Sequence, residues 1–277
     1  MIRDIVLHLD HDQSNDPMRD HALSIAATLE AHVTGVAFAY EPELSANLMP
    51  NFPIEKLAER RAESEQMANE TIARFNAAAT RNRLSAEYRL VMEYEAGIAG
   101  TFARLARYSD LSIVTQSNPD GVNNDALIEA SLFDAGRPLV VIPYIQEGVL
   151  ELDRLVCCWD GSSAAARAIN DALPLLAKAS NVELLTVLDE KANGVQHEID
   201  GVEMASHLAR HKVKVDVKSV PAADLDLASV ILSYAADCSA SMIVMGSYGH
   251  PRLREAILGG TTSGILSSMT VPVFMSH

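Results

Sequence analysis

The sequence predicts an α/β protein that consists of two tandem, doubly wound, open parallel sheets with helices on both faces. Three observations support this fold class: an internal repeat, strands that are short and almost continuously apolar, and Ala-rich helical stretches between the strands. Continuous apolar runs are typical of parallel strands that helices cover on both faces. In such sheets, ligands bind beyond the carboxyl ends of the strands, so we expect a functional site there.

The internal repeat defines two domains, which we predict at residues 1–147 and 151–277. Five similar blocks occur in the same order in both halves, which is hard to obtain by chance. The repeat therefore indicates two copies of one strand–helix unit. The matched blocks are RDIVLHLD with DRLVCCWD, the helical stretches 19–30 and 164–177, VTGVAFAY with VELLTVLD, LSIVTQ with SMIVMGS, and GRPLVVIP with TVPVFMSH. A long helix is predicted over 55–81 in the first copy, and the corresponding region of the second copy, 189–210, is shorter and more polar.

Composition excludes several classes of function. With 22 Lys and Arg against 37 Asp and Glu, the formal charge of −15 argues against a nucleic-acid partner, since phosphate contacts need clustered cations. No apolar run approaches about 18 residues and the N-terminus lacks a signal-peptide core, so we expect a cytoplasmic protein that does not enter a membrane. The three cysteines are too few for a disulfide framework or a zinc site, and no metal site is predicted.

The most informative motif is in the second half, where VMGSYGHPRLREAILGGTT covers Val244 to Thr262. It begins within the apolar block SMIVMGS. Its glycines let backbone N–H groups approach a phosphate closely, and a helix that opens at Gly259 offers free N–H groups to an anion. Thr261 and Thr262 add hydroxyl donors, and Arg252 is placed to contact a phosphate. The alternative is that these glycines mark two ordinary turns.

With this motif the sequence resembles the tandem type of universal stress protein, whose domains contain G-x2-G-x9-G-[Ser/Thr]. Gly246, Gly249 and Gly259 match that pattern, whereas Gly260 stands where the family usually has Ser or Thr. The resemblance implies the Rossmann-like, adenine nucleotide alpha hydrolase-like fold and ATP, with or without Mg²⁺, as the cofactor. It implies that Asp160 holds the adenosine, that Cys158, Val187 and Met245 line the adenine slot, and that ribose and phosphates lie on Gly246, Gly249, Gly259, Gly260, Thr261 and Thr262.

The N-terminal half lacks the motif. Aligning LSIVTQ with SMIVMGS places Gln116 at Gly246 and Pro119 at Gly249, while Glu129 and Ala130 fall at Gly259 and Gly260. Glu129 would bring negative charge toward a phosphate, which it would repel. We therefore expect that this half does not bind ATP in the family manner, although Asp10 remains and another ligand stays open.

The resemblance implies a cytoplasmic stress-response protein that binds an adenine nucleotide in its C-terminal half and is regulatory rather than a fast enzyme. No paired general acid and base stands out, so no catalytic residue is predicted. A slow ATPase in the same site and a non-nucleotide role, in which the protein holds a lipid or metabolite or acts like a chaperone, remain alternatives. Since both final strands are strongly apolar, we expect the halves to pair there as an internal pseudo-dimer, with a homodimer as a further option.

Overall fold

A computed structural model describes residues 1–12, 16–41, 54–188, 194–222, 225–247 and 260–277. The described strands are β1 (Asp4–His8), β2 (His32–Glu41), β3 (Ala86–Tyr94), β4 (Leu111–Thr115), β5 (Leu139–Ile142), β6 (Arg154–Cys158), β7 (Asn181–Leu188), β8 (Val215–Pro221), β9 (Met242–Gly246) and β10 (Val273–Ser276). The described helices are α1 (Asp16–Leu29), α2 (Ile54–Arg81), α3 (Ile98–Ala106), α4 (Asp125–Phe133), α5 (Ser163–Leu176), α6 (Gly194–Arg210), α7 (Leu227–Asp237) and α8 (Gly260–Ser268).

The ten strands form one continuous sheet in the order β3-β2-β1-β4-β5-β10-β9-β6-β7-β8. Within each half all pairings are parallel, and the first strand lies between the second and fourth, as β1 does between β2 and β4. The two halves therefore have the same doubly wound order, which confirms the α/β class expected from the repeat. They do not form two separate sheets, however, because their final strands are hydrogen-bonded to each other.

The seam between the halves is the antiparallel pair of β5 and β10, in which Val140 lies opposite Phe274. Every residue of both strands is buried, and their side chains join the hydrophobic cores on the two faces of the sheet. Each core contains residues of both halves. The final strands are apolar because each is covered by the other and by these shared cores. The expected pairing of the two last strands is thus observed.

Helices α1, α2 and α5 lie within a few residues of the predicted stretches 19–30, 55–81 and 164–177, and two helices of the C-terminal half begin at side-chain caps. Ser162 caps α5 by accepting a hydrogen bond from the backbone N–H of Ala165 at 3.1 Å. Asp226 caps α7 in the same way, with Ser229 N–H as the donor at 3.0 Å. Such caps satisfy backbone donors that a helix leaves free at its first turn.

Sequence reasoning missed the two edge strands, β3 and β8. Each pairs with one described neighbour, β3 with β2 and β8 with β7, and neither contains a buried residue. Charged residues such as Arg89 and Lys218 interrupt them, so they lack the continuous apolar run that identified the other strands. Exposed charges of this kind discourage an edge strand from pairing with another molecule.

Among the described residues, no helix combines the length and the apolar character that crossing a membrane requires.

Candidate functional site in the C-terminal half

A pocket of about 100 Å³ opens at the carboxyl ends of β6, β7 and β9, between the first turns of α5 and α8. Six residues that the sequence predicted for nucleotide binding line it: Cys158, Asp160, Val187, Met245, Gly246 and Thr261. These residues come from three strands and one helix that are distant in sequence. Parallel topology brings their ends to one edge of the sheet, where ligands of such folds bind.

Sequence reasoning did not single out the remaining wall of the pocket. It consists of Trp159, Ala165, Leu185, Leu227 and Ile231. Leu227 and Ile231 lie on α7 and form one side of the pocket. Their separation of four residues places both on one helix face, a signal that could have identified this wall. The pocket is consequently mostly apolar, with polar groups at its rim.

Asp160 provides the carboxylate at the rim and is exposed to solvent. Its Oδ1 accepts a hydrogen bond from the backbone N–H of Ser162 at 3.0 Å, which fixes the turn between β6 and α5. Because a carboxylate has two oxygens, each able to accept more than one bond, this turn leaves acceptor capacity for a ligand. The group therefore suits recognition of a hydrogen-bond donor such as an amino or hydroxyl group.

Cys158 lies on the inner wall and does not supply a nucleophile. Burial, and secondarily the charge of Asp160, raises the pKa of this thiol to about 12. Because the thiolate is the reactive species, a thiol with so high a pKa remains protonated and unreactive near neutral pH. Its position suits packing against a ligand rather than covalent chemistry.

Gly246 is required by the close approach of two backbones. A Cβ atom placed on this residue would lie 2.5 Å from the carbonyl carbon of Ala164 and 2.5 Å from the nitrogen of Ala165. The end of β9 therefore touches the first turn of α5, and any side chain would push them apart. Part of the reason for a glycine here is thus structural and independent of a ligand.

Helix α8 begins at Gly260, so the unpaired N–H groups of its first turn lie beside the pocket at Thr261. Gly260 is exposed, and apart from its own helix turn no atom of the described residues lies within 4 Å of the position where a Cβ would stand. Thr262 is fully buried and does not line the pocket, and its hydroxyl has no hydrogen-bond partner in the described part of the chain. The predicted contacts at Gly249, Arg252 and Gly259, and the helix predicted over 251–258, lie outside the described residues.

The sheet register shifts the alignment of the two halves by one residue along β4 and β9. In the sheet, Ile5 pairs with Leu111, and the equivalent Leu155 pairs with Met242. Counting along β4 and β9 from these pairs makes Thr115 the equivalent of Gly246, so the placement of Gln116 at Gly246 was wrong. The segment from Thr115 to β5 is also three residues shorter than that from Gly246 to β10. The spacing that placed Pro119, Glu129 and Ala130 at the other glycines is therefore not kept.

Histidines and a tyrosine surround Asp10 in the N-terminal half, where the C-terminal half has its pocket. His8, the equivalent of Cys158, packs with ring centroids 5.9 Å from Phe38 and 5.7 Å from Phe102. His11 donates from Nε2 to the Phe38 carbonyl at 2.6 Å and stacks near Tyr40. The cavity at this edge measures about 20 Å³, which is room for one water molecule.

The pKa of His8 is far below the ordinary value of a histidine. Burial lowers the pKa of His8 to about 4, and the nearby His11 adds to this, while the charge of Asp10 opposes it. Buried Nδ1 of His8 and Oδ2 of Asp10 have no hydrogen-bond partner among the described residues. Although His and Asp are metal ligands, no group of three such residues within the described ranges has the geometry to hold a metal ion.

The family model of the universal stress protein family matches residues 151–277. The whole chain also resembles solved structures from end to end. A universal stress protein from Archaeoglobus fulgidus DSM 4304 is 17% identical, with 99% of this chain and 97% of that chain covered and a TM-score of 0.73. A functionally unknown protein from Pseudomonas aeruginosa PAO1 is 16% identical, with coverage of 99% and 92% and a TM-score of 0.62. No curated protein is significantly similar in sequence.

The family match falls on the half that contains the glycine motif and the pocket, and the structural matches extend the fold to both halves. Residues 151–277 therefore match the universal stress protein family, and the chain as a whole has the fold of a solved universal stress protein of similar length.

Proposed function

We propose that the C-terminal half binds an adenine nucleotide, with ATP as the first candidate, and that the protein acts in a cytoplasmic stress response. The observation that supports this most strongly is the convergence of six sequence-predicted residues on one pocket. Its apolar walls suit a flat aromatic base, Asp160 suits the donors of an adenosine, and the start of α8 suits phosphate oxygens.

The orientation of the nucleotide follows from this distribution of groups. The base would enter between Leu185 and Val187 on one side and Ile231 on the other, since these apolar side chains form the inner walls. The phosphates would extend toward Gly260 and Thr261, where α8 begins and the positive end of its dipole lies. Gly249, Arg252 and Gly259 would complete the phosphate site.

We propose a regulatory binder rather than a fast enzyme. The ionisable side chains among the described residues that line the pocket are Asp160 and the high-pKa thiol Cys158, and no basic group is paired with them there. General acid–base catalysis needs a group that titrates near the working pH and reaches the reacting atom. Slow ATP hydrolysis remains the second candidate, and phosphate release above that of a Gly259→Arg variant would support it.

The two halves offer a matched pair of variants for the test. Asp160→Ala removes the carboxylate at the pocket, while Asp10→Ala removes its equivalent in the N-terminal half. We expect Asp160→Ala to weaken ATP binding at least about tenfold, because a hydrogen bond to a charged group contributes about 1.5–3 kcal/mol. Asp10→Ala should leave the affinity unchanged.

Isothermal titration calorimetry measures the ATP affinity of wild type and of both variants. Mass spectrometry identifies any small molecule that is released when freshly purified protein is unfolded. Release of a lipid or metabolite instead of a nucleotide, with no heat from millimolar ATP, would replace the proposal with a non-nucleotide function. Equal loss of affinity in both variants would contradict the assignment of the site to the C-terminal half.

A further inference from the structure

The side chain of Gln116 crosses the seam between the two halves. This residue follows β4 in the N-terminal half, and its backbone N–H donates to Ile142 at 2.8 Å, which extends the ladder with β5. Its side chain is almost completely buried, with 3% of the residue exposed. The Nε2 amide donates to the carbonyl of Leu266 at 2.7 Å, and Oε1 accepts from the backbone N–H of Tyr144 at 3.2 Å.

The acceptor of this bond lies on the helix that forms the candidate nucleotide site. Leu266 is in the last turn of α8, where carbonyl groups have no partner within the helix. Thr261, in the first turn of the same helix, lines the pocket. Gln116 therefore acts as a cap at one end of α8, and the pocket lies at the other end, five residues along the helix from Leu266 to Thr261.

The hydrogen bond from Gln116 to α8 has no counterpart at the equivalent position of the C-terminal half. The equivalent of Gln116 in the C-terminal half is Ser247, whose backbone N–H donates to Ser276 at 2.9 Å. Its short hydroxyl donates to the carbonyl of the same residue, Ser276, at 3.2 Å, within its own half. A side chain of that length does not reach α4, the helix that corresponds to α8. At these two equivalent positions, the described residues thus have a side-chain hydrogen bond from Gln116 to α8 and none from Ser247 to α4.

The packing around α8 leaves the hydrogen bond from Gln116 as a restraint on the position of this helix. On one side, Ile265 and Leu266 belong to the shared hydrophobic core. On the other side, a cavity of about 620 Å³ separates Leu266 and Ser267 from the loop around Asn118 and from Glu129 in the N-terminal half. Helix α8 is therefore not fully enclosed at its C-terminal end, and a buried hydrogen bond there restricts its position.

We infer that the N-terminal half, which lacks the glycine motif, positions the C-terminal site by holding helix α8 through Gln116. This inference rests on the proposed nucleotide function for its effect on affinity, but the contact with α8 is independent of it. Gln116 is a positioning residue, because it acts on the site through the helix and does not touch the pocket.

The test uses Gln116→Met in the full-length protein, which keeps the side-chain volume and removes the amide. Amide hydrogen exchange without ligand should increase in the segment 260–268 and stay unchanged in α7, a helix of the same half. The dissociation constant for ATP should rise about threefold to tenfold, the range that corresponds to the loss of one net hydrogen bond. Gln146→Met is the matched control, since its Nε2 donates only locally, to Glu147 at 3.0 Å, and both measurements should stay at the wild-type value.

The outcomes separate this inference from the proposed function. If exchange in 260–268 does not change, or if it rises while the ATP affinity stays constant, the inference is overturned. A rise spread equally over α7 and α8 also overturns it, because it indicates general destabilisation. If the wild-type protein binds no ATP, the proposed function fails, and hydrogen exchange alone decides whether Gln116 holds α8. Gln116→Asn, whose amide is one methylene shorter, replaces Gln116→Met if the latter does not fold.

Discussion

The same edge of the sheet has two different structures in the two halves of this molecule. At the ends of β6, β7 and β9, a mostly apolar pocket of about 100 Å³ lies beside Asp160. At the ends of β1 and β4, a cavity of about 20 Å³ lies beside Asp10, with His8 in place of Cys158. The aspartate is common to both, so the difference arises from its surroundings.

A single position explains much of this difference. Gly246 lets the first turn of α5 approach β9, and α5 begins three residues after Asp160. The equivalent Thr115 has a side chain, and α1 begins six residues after Asp10. A close strand–helix contact thus accompanies the pocket, and its absence accompanies a filled site. Duplication preserved the strand order of the halves, while the residues at the strand ends diverged.

The largest effect is expected where the two halves differ in backbone approach. Gly246→Ala should lower the free energy of unfolding by about 3 kcal/mol, because the new methyl group overlaps the backbone of α5 and cannot be relieved by a rotamer change. Urea-induced unfolding measures the loss. Thr115→Ala, at the equivalent position, should cost no more than about 1 kcal/mol.

Gly260→Ala is the control for replacing a glycine by alanine where no described residue outside the helix's own turn lies near the added methyl group. If Gly246→Ala and Gly260→Ala destabilise the protein equally, close approach is not the reason for the glycine at 246, and the comparison between the halves loses its structural basis.

A smaller effect is expected from pH and is specific to the N-terminal half. The folded-state pKa of His8 is about 4, below the unfolded value near 6.5, so the unfolded chain binds the proton more tightly. The contribution of neutral His8 to the free energy of unfolding is fully present above the unfolded-state pKa and is lost as the pH falls toward 4. Between pH 7 and pH 5 the loss should be about 2 kcal/mol.

Urea-induced unfolding at several pH values, compared between wild type and His8→Phe, isolates this contribution. Phe is suited to the pocket between Phe38 and Phe102 and does not titrate. His21, whose pKa burial also lowers, remains in both proteins and gives both the same residual slope. Parallel pH profiles of the two proteins would show that His8 does not titrate with a shifted pKa.

The smallest effect is a gain of affinity in the C-terminal half. Gly260→Ser restores the residue type that the family motif usually has, and none of the described residues outside the helix's own turn would meet its Cβ. If phosphates lie at the start of α8, the added hydroxyl should strengthen ATP binding about tenfold. Titration calorimetry measures the change, and Gly260→Ala, which adds a methyl group without a donor, should not reproduce it. A gain with alanine equal to that with serine would contradict a hydrogen bond to phosphate.

Much of the fold could be predicted from the sequence because buried parallel strands have a local signature. The repeat and the apolar runs identified eight of the ten strands, and the caps at Ser162 and Asp226 follow the rules for helix starts. The edge strands β3 and β8 were missed because exposed strands need not be apolar on both faces. The one-residue error at Thr115 arose because sequence similarity between short apolar runs does not fix the register, whereas hydrogen bonding in the sheet does.

Part of the candidate site was also predictable, namely the residues that follow strand ends or belong to the glycine motif. Asp160, Gly246 and Thr261 were found in this way. Leu227 and Ile231 were not, because nothing local distinguishes a helix face that covers a ligand from one that covers a core. The structural requirement for Gly246 also needed coordinates, since the atoms it avoids belong to residues about 80 positions earlier in the chain.

The sequence by itself determined the duplication, the strand–helix alternation and the half in which the glycine motif lies, because each of these is encoded in the order and spacing of neighbouring residues. Only the tertiary structure decided that the halves share one sheet, that Thr115 rather than Gln116 is the equivalent of Gly246, and that Gln116 contacts α8. These features depend on contacts between residues far apart in the chain. Such contacts are set by packing and hydrogen-bond register, which no local pattern specifies.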